Sequence, residues 1–529
     1  MPRSDTQPAT RAETVEGEPY LVSLRPDAFD ALRLAHRDGW FPDLEGLEAD
    51  LRAILPPKAG APRRLATATS SPDMLAVRLG PDAVAQLSRR YGAALRIEPD
   101  IAFRHQAGPM GSRRLADREI GLSAAPTDTP ALHFRIVDDE GAPIPGVRLW
   151  AEGVGLGTGG QAVSDASGRA ILKLETRNPA AVRALNLLPG IGFWPRRLLR
   201  PILHPTPPGA APRLRTLTLR RLEAPFGALP LCASAAMGLD RAPALTLPGA
   251  RGVRVAVLDP GAARQSFDIA DADCSVLVDG WTPAGAPPSP GGALIASAAP
   301  GARIEILRLG PAPRASELID AIGWCLATGI DLLDLGFAAA TPCPALSATL
   351  ARARAGGLVV VAPAGDTGGA VSYPAAEPAV LAVGAASAPG CCPPDAPGAA
   401  RQALRLADFT ARGEDVDLVA PGVGLVLPTS AGPAPLDGTA LAAAGVTAFL
   451  ASLLQTDPAL ARAPRSRHRA HLLRVALLER CHSHGLSAHE AGAGFPAWDP
   501  LMRLDTESDC PIPAMMPDDQ ALPGNRLAV

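Results

Sequence analysis

Lysine, cysteine and long apolar runs are all scarce in this chain of 529 residues. Lysine occurs only at Lys58 and Lys173, so arginine carries almost all of the positive charge, and the formal net charge is −3. Dedicated nucleic-acid binders have a strong basic excess, which is missing here. The eight cysteines are scattered and do not resemble the dense framework of a disulfide-stabilised domain. We therefore expect free thiols and no nucleic-acid partner.

The sequence also lacks an apolar segment that would target the chain to a membrane or anchor it there. Its first residues are polar, without the apolar core of a signal peptide. No stretch reaches the ~18 consecutive apolar residues of a membrane span. The longest apolar helix candidate, 441–454, contains Gly445 and Thr447. We expect a cytoplasmic protein with no membrane partner.

Apolar residues nevertheless make up 47 % of the chain, which is enough for large cores and too many for a wholly disordered protein. Their pattern changes along the chain and divides it into six parts. These are a flexible tail (1–18), an α+β domain (19–107), a linker (108–128), a small antiparallel β-sandwich (129–222), an α/β domain (223–502) and a second tail (503–529).

Each of these fold assignments comes from the spacing of apolar residues. Strands at 20–24 and 74–79 and a helix at 81–91 indicate the α+β domain. The sandwich has short alternating strands between glycine-containing turns. In the α/β domain, continuous apolar strands alternate with helices, one of them beginning near a capping Ser316 and ending at Gly329. This predicts a doubly wound parallel sheet with helices on both faces.

The α/β domain resembles the subtilisin-like serine proteases, the subtilases, over nearly its whole length. Six segments occur in the family's order, and together they are specific. They are VRVAVLDPG (253–261), SELIDAIGWCLATGIDLLDLG (316–336), LVVVAPAGDTG (358–368), YPAAEPAVLAVGA (373–385), VDLVAPG (416–422) and DGTALAAAGVTAFLASLL (437–454). Upstream, residues 75–100 resemble the second half of a subtilisin propeptide. The sandwich resembles regulatory-type domains of carboxypeptidases, through turn patterns alone.

The resemblance implies a site with a serine nucleophile, a histidine base, an orienting aspartate and an asparagine in the oxyanion hole. Only the aspartate position keeps its residue, at Asp259. Pro290 occupies the histidine position, Ala440 the serine position and Asp366 the asparagine position. In a subtilisin, loss of the serine or the histidine alone costs about 2 × 10⁶ in kcat. We therefore predict that none of these four positions is catalytically functional.

No neighbouring residue replaces the missing groups in the sequence. None of the nine histidines lies between residues 205 and 467, and the three asparagines lie outside the matched segments. Thr439 keeps a hydroxyl beside Ala440, but one step along a helix rotates a side chain by ~100°. The resemblance and these losses predict a pseudoprotease that acts as a peptide-binding, protein-binding, scaffolding or regulatory protein.

A peptide-binding role has a predicted location. A cleft of this kind binds peptides by strand addition, and the resemblance assigns the receiving strand to Leu335, Gly336, Phe337 and Ala338, with Gly336 at a serine position. An inactive chain would not cut its own propeptide-like segment. That segment is therefore expected to stay attached, and residues 101–104 are candidates to occupy the cleft.

Two other functions remain open. One is an active peptidase with a rebuilt site, in which Asp259 and Asp366 would act as paired carboxylates about 3 Å apart. The other is regulation of a sister subtilase through the propeptide-like domain. The sequence names no specific protein or peptide partner.

Two further groups of residues each have a structural and a functional interpretation. Cys481, His482, His484 and His489 include zinc-type ligands but lack a second Cys-x-x-Cys half, so we predict no metal and no cofactor. Nine arginines and no acidic residue lie between Glu175 and Glu223. We interpret them as protection of edge strands, with an acidic partner as the alternative.

Overall fold

The computed structural model of the chain describes residues 17–25, 43–56, 60–65, 74–109, 131–153, 161–174, 181–189, 192–199, 201–204, 206, 213–222, 231–239, 252–260, 274–277, 289–388, 403–429, 432–499 and 505–506. The predicted helix at 27–36 and most of the two tails and the linker lie outside these residues. The secondary structure forms a small α+β unit, a two-sheet sandwich and a large α/β unit, so the predicted fold class is confirmed.

The α+β unit is an antiparallel sheet of four strands with two helices on one face. Its elements are β1 (Glu18–Leu24), α1 (Leu44–Ile54), β2 (Arg63–Arg64), β3 (Met74–Leu79), α2 (Pro81–Tyr91) and β4 (Leu95–Pro99), with strand order β2-β3-β1-β4. Pro81 begins α2, where its missing N–H costs nothing. Ala83, Leu87 and Tyr91 recur at helical spacing and are buried. They pack with the buried face of α1 in one core.

Two short extended segments and the sandwich follow. They are β5 (Arg104–His105), β6 (Gly108–Pro109), β7 (Ala131–Val137), β8 (Arg148–Gly153), β9 (Gln161–Val163), β10 (Arg169–Lys173), β11 (Val182–Leu188), β12 (Arg196–Leu199) and β13 (Leu214–Thr218). The two sheets have the orders β10-β7-β13 and β12-β11-β8-β9. Residues 132, 134 and 136 of β7 enter the core between them. The β7–β13 pair is parallel, so this sheet is mixed, whereas the sequence predicts an antiparallel one.

The α/β unit contains the rest of the described chain. Its strands are β14 (Arg254–Pro260), β15 (Cys274–Leu277), β16 (Arg303–Leu309), β17 (Leu332–Asp334), β18 (Phe337–Ala338), β19 (Val359–Pro363), β20 (Val380–Ser387), β21 (Ala403–Leu406), β22 (Leu418–Pro421), β23 (Leu425–Thr429), β24 (Gly432–Asp437), β25 (Cys481–His482), β26 (Phe495–Pro496) and β27 (Asp505–Thr506). Its helices are α3 (Leu231–Ala236), α4 (Pro290–Ala298), α5 (Ala315–Thr328), α6 (Pro344–Ala355), α7 (Thr439–Thr456), α8 (Pro458–Arg462), α9 (Arg467–Leu478) and α10 (Ala488–Ala491).

The topology of the main sheet places the site. Its order is β15-β16-β14-β17-β19-β20-β21-β27, with β22 also paired to β20, and the run from β16 to β20 is parallel. Strand β14 lies between β16 and β17, both of which follow it in the chain. The connection after β14 leads to β16 on one side, whereas the connection after its neighbour β17 leads to β19 on the other, and ligands bind at the carboxyl ends of strands at such a switch point. Asp259 and residues 335–338 lie there.

Helix α7 lies in the main core beside α4, and α5 and α6 cover the opposite face of the sheet. Val255 and Val257 of β14 face α7, and Ala256 and Leu258 face α5, as the two-residue period of a strand requires. Among the described helices, α7 is long and apolar enough to cross a bilayer, but 94 % of it is buried inside the protein. Its composition is therefore that of a core helix.

Two carboxylates of the α+β unit bind helix N-termini of the α/β unit. Glu98 Oε1 accepts from the amide of Ala345 in α6, at 2.9 Å. The carboxylate of Asp100 accepts from the amide and the hydroxyl of Ser316 in α5, at 2.9 and 2.8 Å. Helix N-termini attract negative charge and have unpaired amides. The prediction that Ser316 caps α5 is therefore wrong: the helix begins at Ala315, and Asp100 supplies the acceptor.

Asp100→Ala should lower the stability of the chain by about 1–3 kcal/mol, because the buried amide and hydroxyl of Ser316 lose their acceptor. Asp100→Asn keeps one carbonyl oxygen and should lose less. Urea-induced unfolding of both variants measures the difference. Equal stability of the alanine variant and the unchanged chain would contradict this role of Asp100.

Candidate functional site

Residues 101–109, which we call the strap, run from the end of β4 across the α/β unit in an extended conformation. Within the strap, β5 pairs antiparallel with β18, with His105 opposite Phe337 and Arg104 opposite Ala338. On the other side, the amide of Phe103 donates to the carbonyl of Pro313 at 2.7 Å. The strap is therefore the middle strand of a small three-stranded arrangement.

Gln106 forms four hydrogen bonds to main-chain groups in this arrangement. Its amide donates to the carbonyl of Gly336 at 3.0 Å, and its carbonyl accepts from the amide of Ala440 at 3.0 Å. Its side-chain Oε1 accepts from the amide of Asp366 at 3.2 Å, and Nε2 donates to the carbonyl of Arg104 at 2.9 Å. Backbone and side chain of this one residue are thus held above the first turn of α7.

The strap continues past Gln106 without interruption. Strand β6 pairs antiparallel with β24, with Gly108 opposite Asp437 and Pro109 opposite Leu436. Gly438 follows β24 at φ +151°, and a Cβ at this position would lie 2.0 Å from the Gln106 carbonyl oxygen and 2.6 Å from the Cα of Ala107. Only glycine permits this approach. The structure therefore holds the strap on both sides of the Gln106–Ala107 bond.

Phe103 anchors the strap to the core. Its side chain is 0 % exposed and belongs to the core between the sheet and α5. Its ring centroid lies 6.1 Å from that of Tyr373. Burying a phenylalanine side chain contributes about 1.5–3 kcal/mol from the hydrophobic effect alone.

The residues at the serine and asparagine positions have new roles at the start of α7. Ala440 presents only its amide and a methyl group. Asp366 Oδ1 accepts from the amide of Thr439 at 2.8 Å and from its hydroxyl at 2.7 Å. The Thr439 hydroxyl accepts in turn from the amide of Gly365 at 3.3 Å. Asp366 therefore supplies negative charge at the N-terminus of α7, where Gly438 has no side chain to cap it.

Asp259 and Pro290 lie on the α7 side of the sheet. Burial raises the pKa of Asp259 to about 7, against the lowering effects of Arg308 and of a hydrogen bond from Ser289. Ser289 precedes α4 and accepts from the amide of Gly292 at 3.1 Å. Pro290 is the first residue of α4, a position where proline is favoured. The hydroxyl of Ser289 thus contacts the Asp259 carboxyl, and the proline beside it begins a helix.

Asp334, which the sequence analysis did not single out, is the second carboxyl group beside Asp259. It is the last residue of β17, is 2 % exposed, and its Oδ2 lies 3.4 Å from where a Cβ on Gly291 would be. Complete burial and the charge of Asp259 raise its pKa well above the ordinary range. The carboxyl group that interacts with Asp259 is this one, while Asp366 binds Thr439.

His105 brings an imidazole to the site from outside the α/β unit. Its ring contacts Phe337 edge-on at a centroid distance of 5.2 Å. Gly336, at φ +66°, leaves room for it: a Cβ there would lie 3.4 Å from His105 Cδ2 and 2.9 Å from the Leu258 carbonyl oxygen. The absence of histidine from 205–467 predicted a site without imidazole. That inference missed the strap, because it considered only the α/β segment.

The Cys481–His489 segment lies elsewhere in the α/β unit. Burial raises the pKa of the Cys481 thiol to about 12. Within the described part of the chain, no three His, Cys, Asp or Glu side chains are grouped closely enough to hold a metal ion.

Comparison with known proteins assigns the α/β unit. The sequence model of the Subtilase family matches residues 278–494. The chain contains a subtilisin-like domain. It is 28 % identical over 149 residues to subtilisin of Bacillus pumilus, which covers 27 % of this chain and 49 % of that protein. Subtilisin E of Bacillus subtilis (strain 168) is 28 % identical to the chain over 27 % of the chain and 35 % of that relative. Subtilisin Savinase of Lederbergia lenta is 28 % identical over 29 % of the chain and 53 % of that relative.

The similarity does not extend over whole proteins. The chain spans about half of the length of the Bacillus pumilus subtilisin and about a third of that of subtilisin E. The family match begins at residue 278, after Asp259. Asp259 belongs with the subtilisin-like domain because β14 pairs with β16 and β17 in the central sheet.

We expect the unchanged chain to lose stability as the pH rises from about 4 to about 7, and Asp259→Asn should abolish this dependence on pH. An unfolded aspartate releases its proton near pH 4 but folded Asp259 only near pH 7, so stability falls by about 1.4 kcal/mol per pH unit between these values. The asparagine can still accept from Ser289. Calorimetry should therefore show its unfolding temperature rising relative to the unchanged chain from pH 5 to pH 8.

The matched control for this measurement is Asp165→Asn. Hydrogen bonds within a turn lower the pKa of Asp165, so its contribution to stability is already complete at pH 5. This variant should give a constant difference from pH 5 to pH 8. The same constant difference for Asp259→Asn would contradict the raised pKa of Asp259.

Proposed function

We propose that this chain is a subtilisin-like pseudoprotease that binds peptide or protein segments without cleaving them, and that its own strap fills the binding groove. The observation that carries the proposal is the position of Gln106. Its carbonyl oxygen accepts from the amide of Ala440, and at the serine position there is only a methyl group. An extended peptide thus lies across the site with no hydroxyl from residue 440 to attack it.

The nearby hydroxyl groups support a binding role because both are already engaged. Thr439 donates to Asp366 and accepts from Gly365, and its side chain is fully buried. Ser289 contacts Asp259 and accepts from Gly292. A nucleophile needs a base within hydrogen-bond reach and a free path to the carbonyl carbon. Asp366 also places a carboxylate where a peptidase would need a hydrogen-bond donor for the developing oxyanion.

The groove has features that suit peptide binding. Peptides that join a sheet edge gain affinity from main-chain hydrogen bonds and specificity from side-chain pockets. Residues 336–338 provide the edge, and the pocket around Phe103 provides an apolar anchor. A partner would therefore present an extended segment with an aromatic residue three positions before the one that binds the Ala440 amide.

The two alternatives have less support. Paired-carboxylate chemistry with Asp259 and Asp366 requires both groups to face one site, but Asp366 Oδ1 is held by Thr439 and the partner of Asp259 is Asp334. An Asp259–Asp334 pair would be fully buried on the α7 side of the sheet, away from water and substrate. Regulation of a sister subtilase through the α+β unit would require that unit to leave Glu98 and Asp100 unpaired.

The purified chain should keep its full mass of 54.3 kDa on prolonged incubation, and it should hydrolyse no casein. A serine-directed fluorophosphonate probe should leave it unlabelled, because Ala440 has no hydroxyl. Intact mass spectrometry tests the first outcome. Release of a fragment ending at Gln106, or casein hydrolysis that disappears in a Thr439→Val variant, would refute the proposal.

Strap occupancy is tested separately with Phe103→Ala. Truncating a buried phenylalanine costs about 3–5 kcal/mol, so opening of the strap should become roughly 150- to 5,000-fold more frequent. Hydrogen exchange of the Phe103 and Gln106 amides measures this directly. A fluorescent peptide copying residues 100–109 should bind the variant and be excluded from the unchanged chain.

Arg104→Ala is the matched control, since this side chain lies between the two anchors and is exposed. It should leave both amides protected. If Phe103→Ala exchanges no faster than Arg104→Ala, or if the peptide binds the unchanged chain equally well, the groove is not closed by the strap.

A further inference from the structure

The sandwich exposes a row of apolar side chains on its three-stranded sheet. Among the described residues, five large apolar side chains are well exposed, and four of them belong to the sandwich: Val163, Ile171, Ile202 and Leu214. Ile171 and Leu214 are 55 % and 48 % exposed, and both lie opposite His133 of the central strand. The three side chains therefore form one row across the outer face of β10, β7 and β13.

Cations lie on both sides of this row. On one side, Arg135 of β7 is directly opposite Arg169 of β10, and both side chains are exposed. On the other side, Lys173 is opposite Ala131. Like charges directly opposite each other in a sheet are unfavourable. Within the described residues, none of the ion pairs involves Arg135, Arg169 or Lys173.

One described acidic group that interacts with a cation of this face, Asp165, already accepts several hydrogen bonds within a turn. Asp165 Oδ1 accepts from the amide of Arg169, from the amide of Ser167 and from the Ser167 hydroxyl, at 2.7–2.9 Å. It therefore moderates the charge at one end of β10. The cations of the sheet face remain available to carboxylates of a partner.

We infer that this face binds an acidic segment of another protein, with an apolar side chain between carboxylates. Positions 131 and 135 are four residues apart, so the two cationic ends of the face are ~13 Å apart. A ligand that matches them places acidic residues at that distance and sets an apolar side chain on the Ile171–His133–Leu214 row. Buried apolar contact supplies affinity, and the flanking charges set orientation.

Other anionic partners fit this face less well. Nucleic-acid binding normally uses many phosphate contacts and aromatic platforms for bases. This face has three cations, no Phe, Tyr or Trp, and a central apolar row. The inference is independent of the proposed function, since the face lies on the sandwich and the groove on the subtilisin-like domain.

The experiment uses the full chain and a fluorescein-labelled peptide with two aspartates on each side of a central Leu-Val pair, observed by fluorescence anisotropy. Arg135→Glu with Lys173→Glu should weaken binding by about tenfold or more, and Ile171→Ser with Leu214→Ser by about fivefold or more. Matched controls are Val163→Ser, exposed on β9 in the other sheet, and Arg89→Glu, exposed on α2. Each should change binding by less than about twofold.

Three results would overturn the inference. The first is equal weakening by the controls and the face variants. The second is tighter binding of a single-stranded oligonucleotide or of phosphatidylserine vesicles than of the peptide. The third is tighter peptide binding after deletion of residues 507–529, which would assign the face to the acidic C-terminal residues of this chain.

Discussion

The carbonyl oxygen of Gln106 rests on the first turn of α7, and the amide of Ala440 reaches it because Gly438 has no side chain. This contact sets the position of the strap on both sides. Before it, β5 adds to β18, and after it, β6 adds to β24. A displacement of Gln106 by even 1 Å would break several of these hydrogen bonds together, since the optimum distances span only a few tenths of an ångström.

The α/β unit contains three carboxyl groups at the candidate site, Asp259, Asp334 and Asp366, and it accommodates each in a different way. Asp366 Oδ1 accepts from the amide and the hydroxyl of Thr439 at the N-terminus of α7, where negative charge is favourable. Burial raises the pKa of Asp259 to about 7, so near neutral pH it changes readily between its two forms. Burial and the charge of Asp259 raise the pKa of Asp334 well above the ordinary range.

The sequence alone predicts the helices, strands and site positions that depend on local sequence patterns. Helix α2 and strand β3 match their predicted bounds, because apolar spacing and Pro81 determine them locally. The three altered site positions, Pro290, Asp366 and Ala440, were also identifiable, because motifs surround them. Asp334 and Gln106 were not, since their importance arises from contacts with residues far away in the chain. Ser316 was misassigned for the same reason: its partner, Asp100, lies 216 residues earlier.

Covalent attachment decides how the groove can be used. A segment tied to its site acts at an effective concentration of about millimolar, so a free peptide with the same contacts competes poorly at micromolar levels. The strap is also held at both ends, by Asp100 on α5 and by β6 on β24. Opening therefore requires loss of contacts at one end, so under the proposed function the docking of the α+β unit would control access to the groove. A partner that weakened this docking would gain access to the groove without having to bind the groove more tightly than the strap does.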